Sequence, residues 1–527
     1  MGECSNTGDG AVRRGYGTVC MSIGFTSPYL VGIGGCGMSG LARLLAEDGA
    51  TVRGSDAAPS VVTDALAAHG IEVSFDQASG TLPADIDGVI VSAAIKPEHP
   101  QYLEATERGL AVFTYAEALG RCMGGRTGVS IAGTHGKSTT TAMLGCVLTD
   151  AGLDPGVIVG ATCNQLAGGA LSEGHDPQAT PPTGFRLGRR AVPSGPYQGR
   201  PGLLLAEACE FNRSFHHHRP VVGAVMNVEA DHLDIYGTLD AVVEAFAGFA
   251  ASVPPEAEGG RLLIAHDGAH RREITAGLSC VVETVGFSPS ADWVVDHDPY
   301  TGEVSITAPD GRAASWVNRM PGDHNAMNSA FAAALAVTLG ADPEIVGRSL
   351  SAFAGLDRRL QTLGERRLQS GGTVRVFDDY GHHPTEIEAT LRSLRLAALE
   401  GRPGRLICVF QPHQHSRTRF LLDEFATSFE HADVVIVPHI YFVRDSETEK
   451  QKVSAADLVD RLRSRGVRAM HLYPFGAIVE ALEHVCRDGN VLVVMGAGPV
   501  WQVAHEFMDA ASEANPGSLN PESAATG

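Results

Sequence analysis

The sequence predicts an α/β protein of three domains, each built on a largely parallel sheet. Three observations carry that expectation. Apolar runs of strand length recur throughout the 527 residues, they end on glycine turns or polar clusters, and the intervals between them read as helices. Strands that alternate with helices in this way build parallel sheets covered on both faces. No internal repeat of about 20 to 50 residues is visible.

The first block opens with Tyr29-Leu-Val-Gly-Ile-Gly34, which runs into Gly32-x-Gly34-x-x-Gly37. Residues 38–49 read as a helix with Leu41, Leu44 and Leu45 inward, and Thr51-Val-Arg-Gly-Ser-Asp56 as the next strand. This is the dinucleotide-type βαβ pattern: the glycines permit a tight turn and close phosphate approach, and an acid closes the second strand. Glycine turns also serve packing alone, and Asp56 is equally readable as a turn residue. Gly88-Val-Ile-Val-Ser-Ala-Ala-Ile95 reads as a buried parallel strand whose end, Ser92-Ala93, points at the same crevice.

The second block carries the most informative stretch. The apolar run Gly128-Val-Ser-Ile-Ala132 is followed at once by Gly133-Thr-His-Gly-Lys-Ser-Thr139. A buried strand, a glycine turn and a helix start are the parts that wrap nucleotide phosphates, because backbone N–H groups and the helix N-terminus face the oxygens. Lys137 adds a full charge and the Ser138 hydroxyl suits Mg²⁺. The motif is a shortened phosphate loop, yet one of only four lysines in the chain is kept in it. Strands follow at 202–207 and 221–227, ending on Glu207 and on Glu229-Ala-Asp-His-Leu-Asp234. Residues at the carboxyl ends of parallel strands converge, so Ser138, Glu207 and His232 are candidate Mg²⁺ ligands. Mg²⁺ prefers oxygen, so an imidazole points to a second ion. The alternative for His232 is a capping or core histidine bonded to Asp231 or Asp234. His216-His-His218 reads as a solvated loop, since neighbouring side chains diverge. The Gly/Pro/Arg-rich stretch 168–200 reads as a surface excursion rather than a core element.

The third block begins near Arg358, with strands at 374–377, 405–410, 432–437 and 490–495. The first of these ends in Asp378-Asp-Tyr-Gly-His-His-Pro384, a density of functional groups beyond what solubility needs. The second ends in Phe410-Gln-Pro-His413 with Ser416-Arg-Thr-Arg419 beyond it. Arginine there suits bidentate capture of a carboxylate or phosphate. Arg419 is read as a helix-surface charge, which leaves that task to Arg417.

Composition narrows the function. A net charge of −21 argues against sequence-independent nucleic-acid binding. No apolar run approaches the ~20 residues that span a bilayer. Ten scattered cysteines without a CxxC pair suggest reduced thiols and a cytoplasmic protein. The expected organisation is a disordered extension 1–27, domains at 28–124, 125–356 and 357–512, and a disordered tail 513–527. Gly124-Gly125 and Gly355 are candidate hinges for domain closure.

Taken in order, these motifs resemble the Mur ligases, most closely their alanine-adding branch. The matching pieces are Gly32-Ile-Gly-Gly-Cys-Gly-Met-Ser-Gly40, Gly133–Thr139, Glu207-Ala-Cys-Glu210, Asn227–Asp234, Pro321-Gly-Asp-His-Asn-Ala-Met-Asn328, Gly355–Gln361, Asp378–Ile387 and Phe410–Thr418. The resemblance covers about 28–510 and implies a Rossmann-like N-terminal domain, a central ATP-binding domain of the P-loop type and a Rossmann-like C-terminal domain. It also implies an ATP-dependent ligase that joins L-alanine to the lactyl carboxylate of UDP-N-acetylmuramate through an acyl phosphate, with Mg²⁺, as two ions, and no nucleic acid or membrane partner. A monomer or homodimer is expected.

The resemblance further implies residue roles. Gly34, Gly35, Gly37, Met38, Ser39, Asp56, Ser92 and Ala93 would line the UDP-sugar site. Gly133, Thr134, His135, Gly136, Lys137, Ser138 and Thr139 would hold the ATP phosphates. Asn325 and Asn328 would read adenine beside His324, Arg358 or Arg359 would meet the nucleotide, and Asp378 or Asp379 would hold the ribose. Tyr380, His382 and Arg417 would shape the alanine pocket, with Arg417 on its carboxylate. Lys137, Glu207, His232, His382 and Arg417 form the catalytic set. Cys209 departs from the family's usual Asp, and Ser138 from its usual Thr. No lysine occurs between Lys137 and Lys450, so the carbamylated lysine of some members is absent. Competing readings are a ligase that recycles murein tripeptide, a nicotinamide dehydrogenase and a non-catalytic nucleotide-sugar sensor.

Overall fold

The computed structural model describes residues 23–172, 183–399, 401–443 and 445–510. The chain divides into two compact units, one ending at Ala118 and the other starting at Leu119. The first unit carries one sheet and the second carries two.

The sheet of the first unit contains β1 (Pro28–Val31), β2 (Arg53–Ser55), β3 (Glu72–Ser74), β4 (Gly88–Val91) and β5 (Ala111–Thr114), in the order β3-β2-β1-β4-β5. Every pairing in it is parallel. The strand order reverses between β1 and β4, which places the glycine turn and Ser92 together at the carboxyl edge, where such sheets bind ligands. A Cβ on Gly32 would lie 3.0 Å from that of Ser92, and its φ of +81° is one that glycine adopts freely. Residues 23–27 were expected within a disordered extension, but they pack onto this sheet. Ile23 and Phe25 are buried. Asp87 accepts from the backbone N–H of Thr26 (2.6 Å) and of Ser27 (2.9 Å). Residues 1–22 and 511–527, which hold the rest of the expected extension and the whole tail, lie outside the described residues.

The second sheet has ten strands: β6 (Thr127–Ala132), β7 (Gly156–Cys163), β8 (Thr183–Arg186), β9 (Leu203–Ala208), β10 (Pro220–Val225), β11 (Arg261–Ala265), β12 (Val281–Gly286), β13 (Trp293–His297), β14 (Glu303–Thr307) and β15 (Ala313–Val317). Strand β6 lies between β10 and β9, parallel to both. The ends of these three strands therefore deliver the phosphate loop, Glu207 and Asn227 to one place. The sheet is mixed rather than parallel throughout. Strands β13, β14 and β15 form an antiparallel meander on one edge, and β8 pairs antiparallel with β7 on the other. The stretch 168–200 is likewise more than a surface excursion. Phe185, Val192 and Tyr197 are buried, the last two within the main core of this domain. Helices Lys137–Asp150 and Asp323–Thr338 bury nearly every residue. Thr140 Oγ1 donates to Asn328 O at 3.2 Å, which fixes the asparagine motif beside the phosphate loop.

The third sheet contains β16 (Gln361–Arg367), β17 (Thr373–Asp379), β18 (Leu406–Phe410), β19 (Val434–Val437), β20 (Ala469–His471) and β21 (Val491–Met495), in the order β16-β17-β21-β18-β19-β20. Only the edge strand β16 is antiparallel. Each of the strands β18, β19 and β21 is a continuous apolar run, mostly Val, Ile and Leu, as a sheet covered on both faces requires.

The histidine run is not a solvated loop. It ends a 3₁₀ segment, Phe211–His217, in which His216 stacks on Phe215 with ring centroids 5.0 Å apart. His218 is buried with Nδ1 2.9 Å from Ser130 Oγ, and burial pushes its pKa down to about 4. It is a core histidine.

Candidate active site

The phosphate loop leaves β6 and enters its helix through Gly136, whose φ is +80°. A Cβ there would lie 2.2 Å from Asn328 Oδ1, so both conformation and space demand glycine. Asn227 braces the loop by accepting from the His135 N–H through Oδ1 at 2.7 Å. The Lys137 ammonium donates to Gly133 O (2.5 Å), Thr134 O (2.9 Å) and Glu210 Oε2 (2.8 Å). Burial works against its charge, but Glu210 outweighs burial and holds the pKa above the ordinary lysine value.

Ser138 Oγ donates to Glu207 Oε2 at 2.6 Å, so two of the three candidate metal ligands touch. Their oxygens are the hard donors Mg²⁺ takes, and they fit a site at the start of a phosphate-binding helix. His232 is held apart from them. It adopts φ +52°, and its Nε2 lies 3.7 Å from Asp231 Oδ2 and 3.9 Å from Glu210 Oε1. Glu210, Asp231 and His232 offer atoms close enough for a second cation. The site thus brings in Glu210 and Asp231, which stand in the quoted motifs but carried no role from sequence.

A cavity of about 300 Å³ opens beside the loop, lined by His135, Gly136, Thr139, His324, Asn325, Asn328, Arg359 and Asp379 among others. Its walls come from loops and helices of the central and C-terminal domains, with Asp379 at the end of β17. Asn325 Oδ1 accepts from Asn328 Nδ2 at 3.2 Å, a pairing that orients both amides. Of the paired alternatives, Asp379 and Arg359 line the cavity, whereas Asp378 and Arg358 do not. Asp378 is fully buried 3.5 Å from Arg358 Nε, and burial pushes its pKa up to about 6. Successive residues of a strand face opposite sides, which separates the two acids.

The residues expected to hold the amino acid gather at the ends of β17 and β18. Tyr380 lies under the guanidinium groups of Arg358 (5.1 Å) and Arg359 (4.8 Å) and edge-on to His382 (5.3 Å). His382 Nδ1 lies 3.1 Å from Tyr380 O, which makes that nitrogen the proton carrier of a neutral ring. Burial, with Arg417 nearby, holds its pKa well below the usual histidine value. Arg417 is not an open anion receptor. Its Nε and Nη2 grip Asp231 at 3.1 and 2.8 Å, in a pair buried on both sides. Arg419 stands on the helix surface paired with Glu449, as its reading required.

In the first unit, Gly34 N–H donates to Asp56 Oδ2 at 2.8 Å and Ala57 N–H to Asp56 Oδ1 at 2.8 Å. Asp56 therefore braces the glycine turn. A Cβ on Gly37 would lie 2.8 Å from the Tyr115 ring, Met38 is buried, and Ser39 Oγ bonds back to Cys36 O. Gly35 and Ala93 are exposed at the turn and at the end of β4.

A phosphate loop at a strand-to-helix turn, in a chain that carries three α/β sheets, fits the ATP-dependent ligase class, and sequence comparison agrees. Family models match residues 28–127 (Mur ligase family, catalytic domain), 131–336 (Mur ligase middle domain) and 358–498 (Mur ligase, glutamate ligase domain). A UDP-N-acetylmuramate–L-alanine ligase of Kineococcus radiotolerans is 39% identical over 492 residues, which is 92% of this chain and 96% of the relative. One from Thermobifida fusca is 36% identical over 491 residues, again 92% and 96%. The chain belongs to the Mur ligase family. Its fold matches the UDP-N-acetylmuramate-alanine ligase MurC of Thermotoga maritima with a TM-score of 0.71 at 21% identity, covering 93% of this chain and 99% of that one. It also matches a murein peptide ligase of Psychrobacter arcticus with a TM-score of 0.68 at 23% identity, covering 92% and 98%.

Proposed function

We infer that this protein joins L-alanine to the lactyl carboxylate of UDP-N-acetylmuramate at the expense of ATP. Alanine-adding relatives at 32–39% identity over nine-tenths of the chain support the substrate pair. The observation that carries the chemistry is the phosphate loop, with Lys137 held by Glu210 and Ser138 against Glu207. A carboxylate resists amine attack because it would have to expel oxide. Phosphorylation by ATP makes an acyl phosphate and ADP. The amine then attacks the acyl carbon, loses a proton, and the tetrahedral intermediate collapses to the amide and inorganic phosphate.

In this reading the chain supplies position and charge rather than a covalent nucleophile. Lys137 neutralises the transferring phosphoryl group. Ser138 and Glu207 would hold one Mg²⁺ and His232 a second, which neutralise the same charge. Asn325, Asn328, Asp379 and Arg359 hold the nucleotide in the cavity. His382, neutral and with its proton on Nδ1, keeps the Nε2 lone pair for the amine proton. Arg417, whose Nε and Nη2 are committed to Asp231, takes the amino-acid carboxylate through Nη1. Residues 28–124 bind the sugar nucleotide, 125–356 ATP and 357–512 the amino acid. Among the described residues no helix is long and apolar enough to cross a membrane, and all eight cysteines are free thiols, in keeping with a cytoplasmic enzyme.

Mass spectrometry of the product formed from UDP-N-acetylmuramate, ATP and each amino acid tests the reading. The expected product carries one alanine. A product formed only with a tripeptide assigns the chain to murein-peptide recycling instead.

A further inference from the structure

One carboxylate joins the phosphate loop to the amino-acid pocket. Glu386 stands in the first turn of helix Pro384–Leu394. Its Oε2 accepts from the backbone N–H of His382 (2.9 Å) and His383 (3.2 Å). Its Oε1 is left for the central domain, where His135 Nδ1 lies 3.2 Å away. The other ring nitrogen of His135 lies 3.6 Å from Glu229 Oε2. Only Nδ1 is within hydrogen-bond reach of its carboxylate, but the two acids together outweigh burial and hold the imidazole pKa at about 9, so the ring is charged at neutral pH. The side chains of His135 and Glu386 are only 14% and 15% exposed.

The surroundings reinforce this crossing. Thr385 Oγ1 donates to Glu229 Oε2 at 2.5 Å, His383 Nε2 lies 3.3 Å from Ala230 O, and the His135 and His383 rings lie 4.7 Å apart. Arg359 Nη1 approaches Glu386 Oε1 at 3.8 Å from the cavity side. His135, Glu229 and His383 could in principle surround a metal ion. That use is disfavoured, because His135 Nδ1 is directed at Glu386 and His383 Nδ1 already accepts from the Thr385 N–H at 3.3 Å.

We propose that Glu386 and His135 form an interdomain clamp that sets the phosphate loop in register with the amino-acid-binding domain, so that amine attack follows phosphoryl transfer before the acyl phosphate is lost to water. The clamp rests on the ligase reading. Neither residue need touch reacting atoms for this purpose; both are positioning residues. The same carboxylate that grips the loop residue two positions before Lys137 also fixes the backbone of His382. A shift of either domain alone therefore breaks the register.

The test compares the wild-type protein with Glu386→Gln, His135→Gln and the double variant, measuring ADP and amide formed together. Glutamine retains an oxygen for the His382 and His383 N–H groups, so the helix cap survives while the charge pair is lost. Each single variant is expected to lower amide formation about tenfold and to release more than one ADP per amide. The double variant is expected to match the worse single within about twofold, as coupled residues do. Singles that keep the wild-type rate and the one-to-one ratio overturn the clamp, as does a double variant whose loss is the product of the singles. A wild-type protein that makes ADP but no amide overturns the ligase reading instead, and the clamp's coupling role with it.

Discussion

Arg417, on the helix His415–Phe420 that follows β18, closes on Asp231 of the central domain with Nη2 2.8 Å from Oδ1, both side chains nearly excluded from solvent. Sequence alone makes Arg417 a receptor for a free carboxylate, whereas the fold gives it a resident one. Removing one partner of such a buried pair leaves an uncompensated charge, at a cost of about 3–5 kcal/mol. Arg417→Ala is therefore expected to destabilise the protein on that scale in urea titration. Arg417→Lys keeps the charge but loses the planar fork, and should raise the KM for L-alanine about tenfold or more. An unchanged KM would remove Arg417 from the amino-acid site.

Cys209 stands where the family usually has an acid, between Glu207 and Glu210 and beside Lys137. Although Cys209 reaches solvent, desolvation by the surrounding protein and the Glu210 charge push its thiol up to about 12, so it is neutral at physiological pH. Cys209→Asp adds a third carboxylate to the Glu207–Glu210 edge of the loop. The expected result is a lower Mg²⁺ concentration at half-maximal ADP formation, while Cys209→Ser leaves that concentration unchanged.

The clamp histidine gives stability a pH signature. Burial disfavours the charge on His135, but Glu386 and Glu229 outweigh it and hold the pKa at about 9. A folded-state pKa above the unfolded value of about 6.5 stabilises the fold fully below that lower value, and the gain is lost as pH rises through about 9. The full gain is at most about 3 kcal/mol. Denaturant midpoints should fall between about pH 7 and about pH 9.5 in the wild type, with a shallower fall in His135→Gln.

Removal of Mg²⁺ should abolish ADP formation, and Glu207→Gln should raise the Mg²⁺ requirement more than Ser138→Thr does. The Ser138 hydroxyl is conserved by threonine, whereas the amide carries no charge. Activity titrated against Mg²⁺ in each variant checks the order.

What the sequence makes legible is local. The strand–glycine–lysine order at 128–141 places the phosphate loop before any tertiary fact is known, and the same holds for the polar ends of β9, β10, β17 and β18. The Asp378/Asp379 ambiguity needed the fold, because adjacent strand residues face opposite sides and only tertiary packing decides which side is the cavity; Arg358 and Arg359 both reach the Tyr380 ring, and only the packing shows that Arg359 also lines the cavity. The meander β13–β15 and the edge strands β8 and β16 escape because these half-exposed strands lack continuous apolar runs, although glycine turns at Gly302, Asp310-Gly311 and Gly371-Gly372 punctuate them. His218 reads as solvated until Ser130, 88 positions away, is brought to its Nδ1. Glu386 stands in sequence only as part of the motif 378–387 with no role of its own, and its partner His135 lies in another domain.

If ATP is spent only to activate the sugar-nucleotide carboxylate for L-alanine, phosphate release depends on both substrates. Phosphate release from ATP and Mg²⁺, measured with and without UDP-N-acetylmuramate and L-alanine, tests it most directly. Sustained release that requires both substrates, and falls by at least about a hundredfold in Lys137→Ala, is the predicted result. Release that proceeds without either substrate, or that survives in Lys137→Ala, would contradict the account.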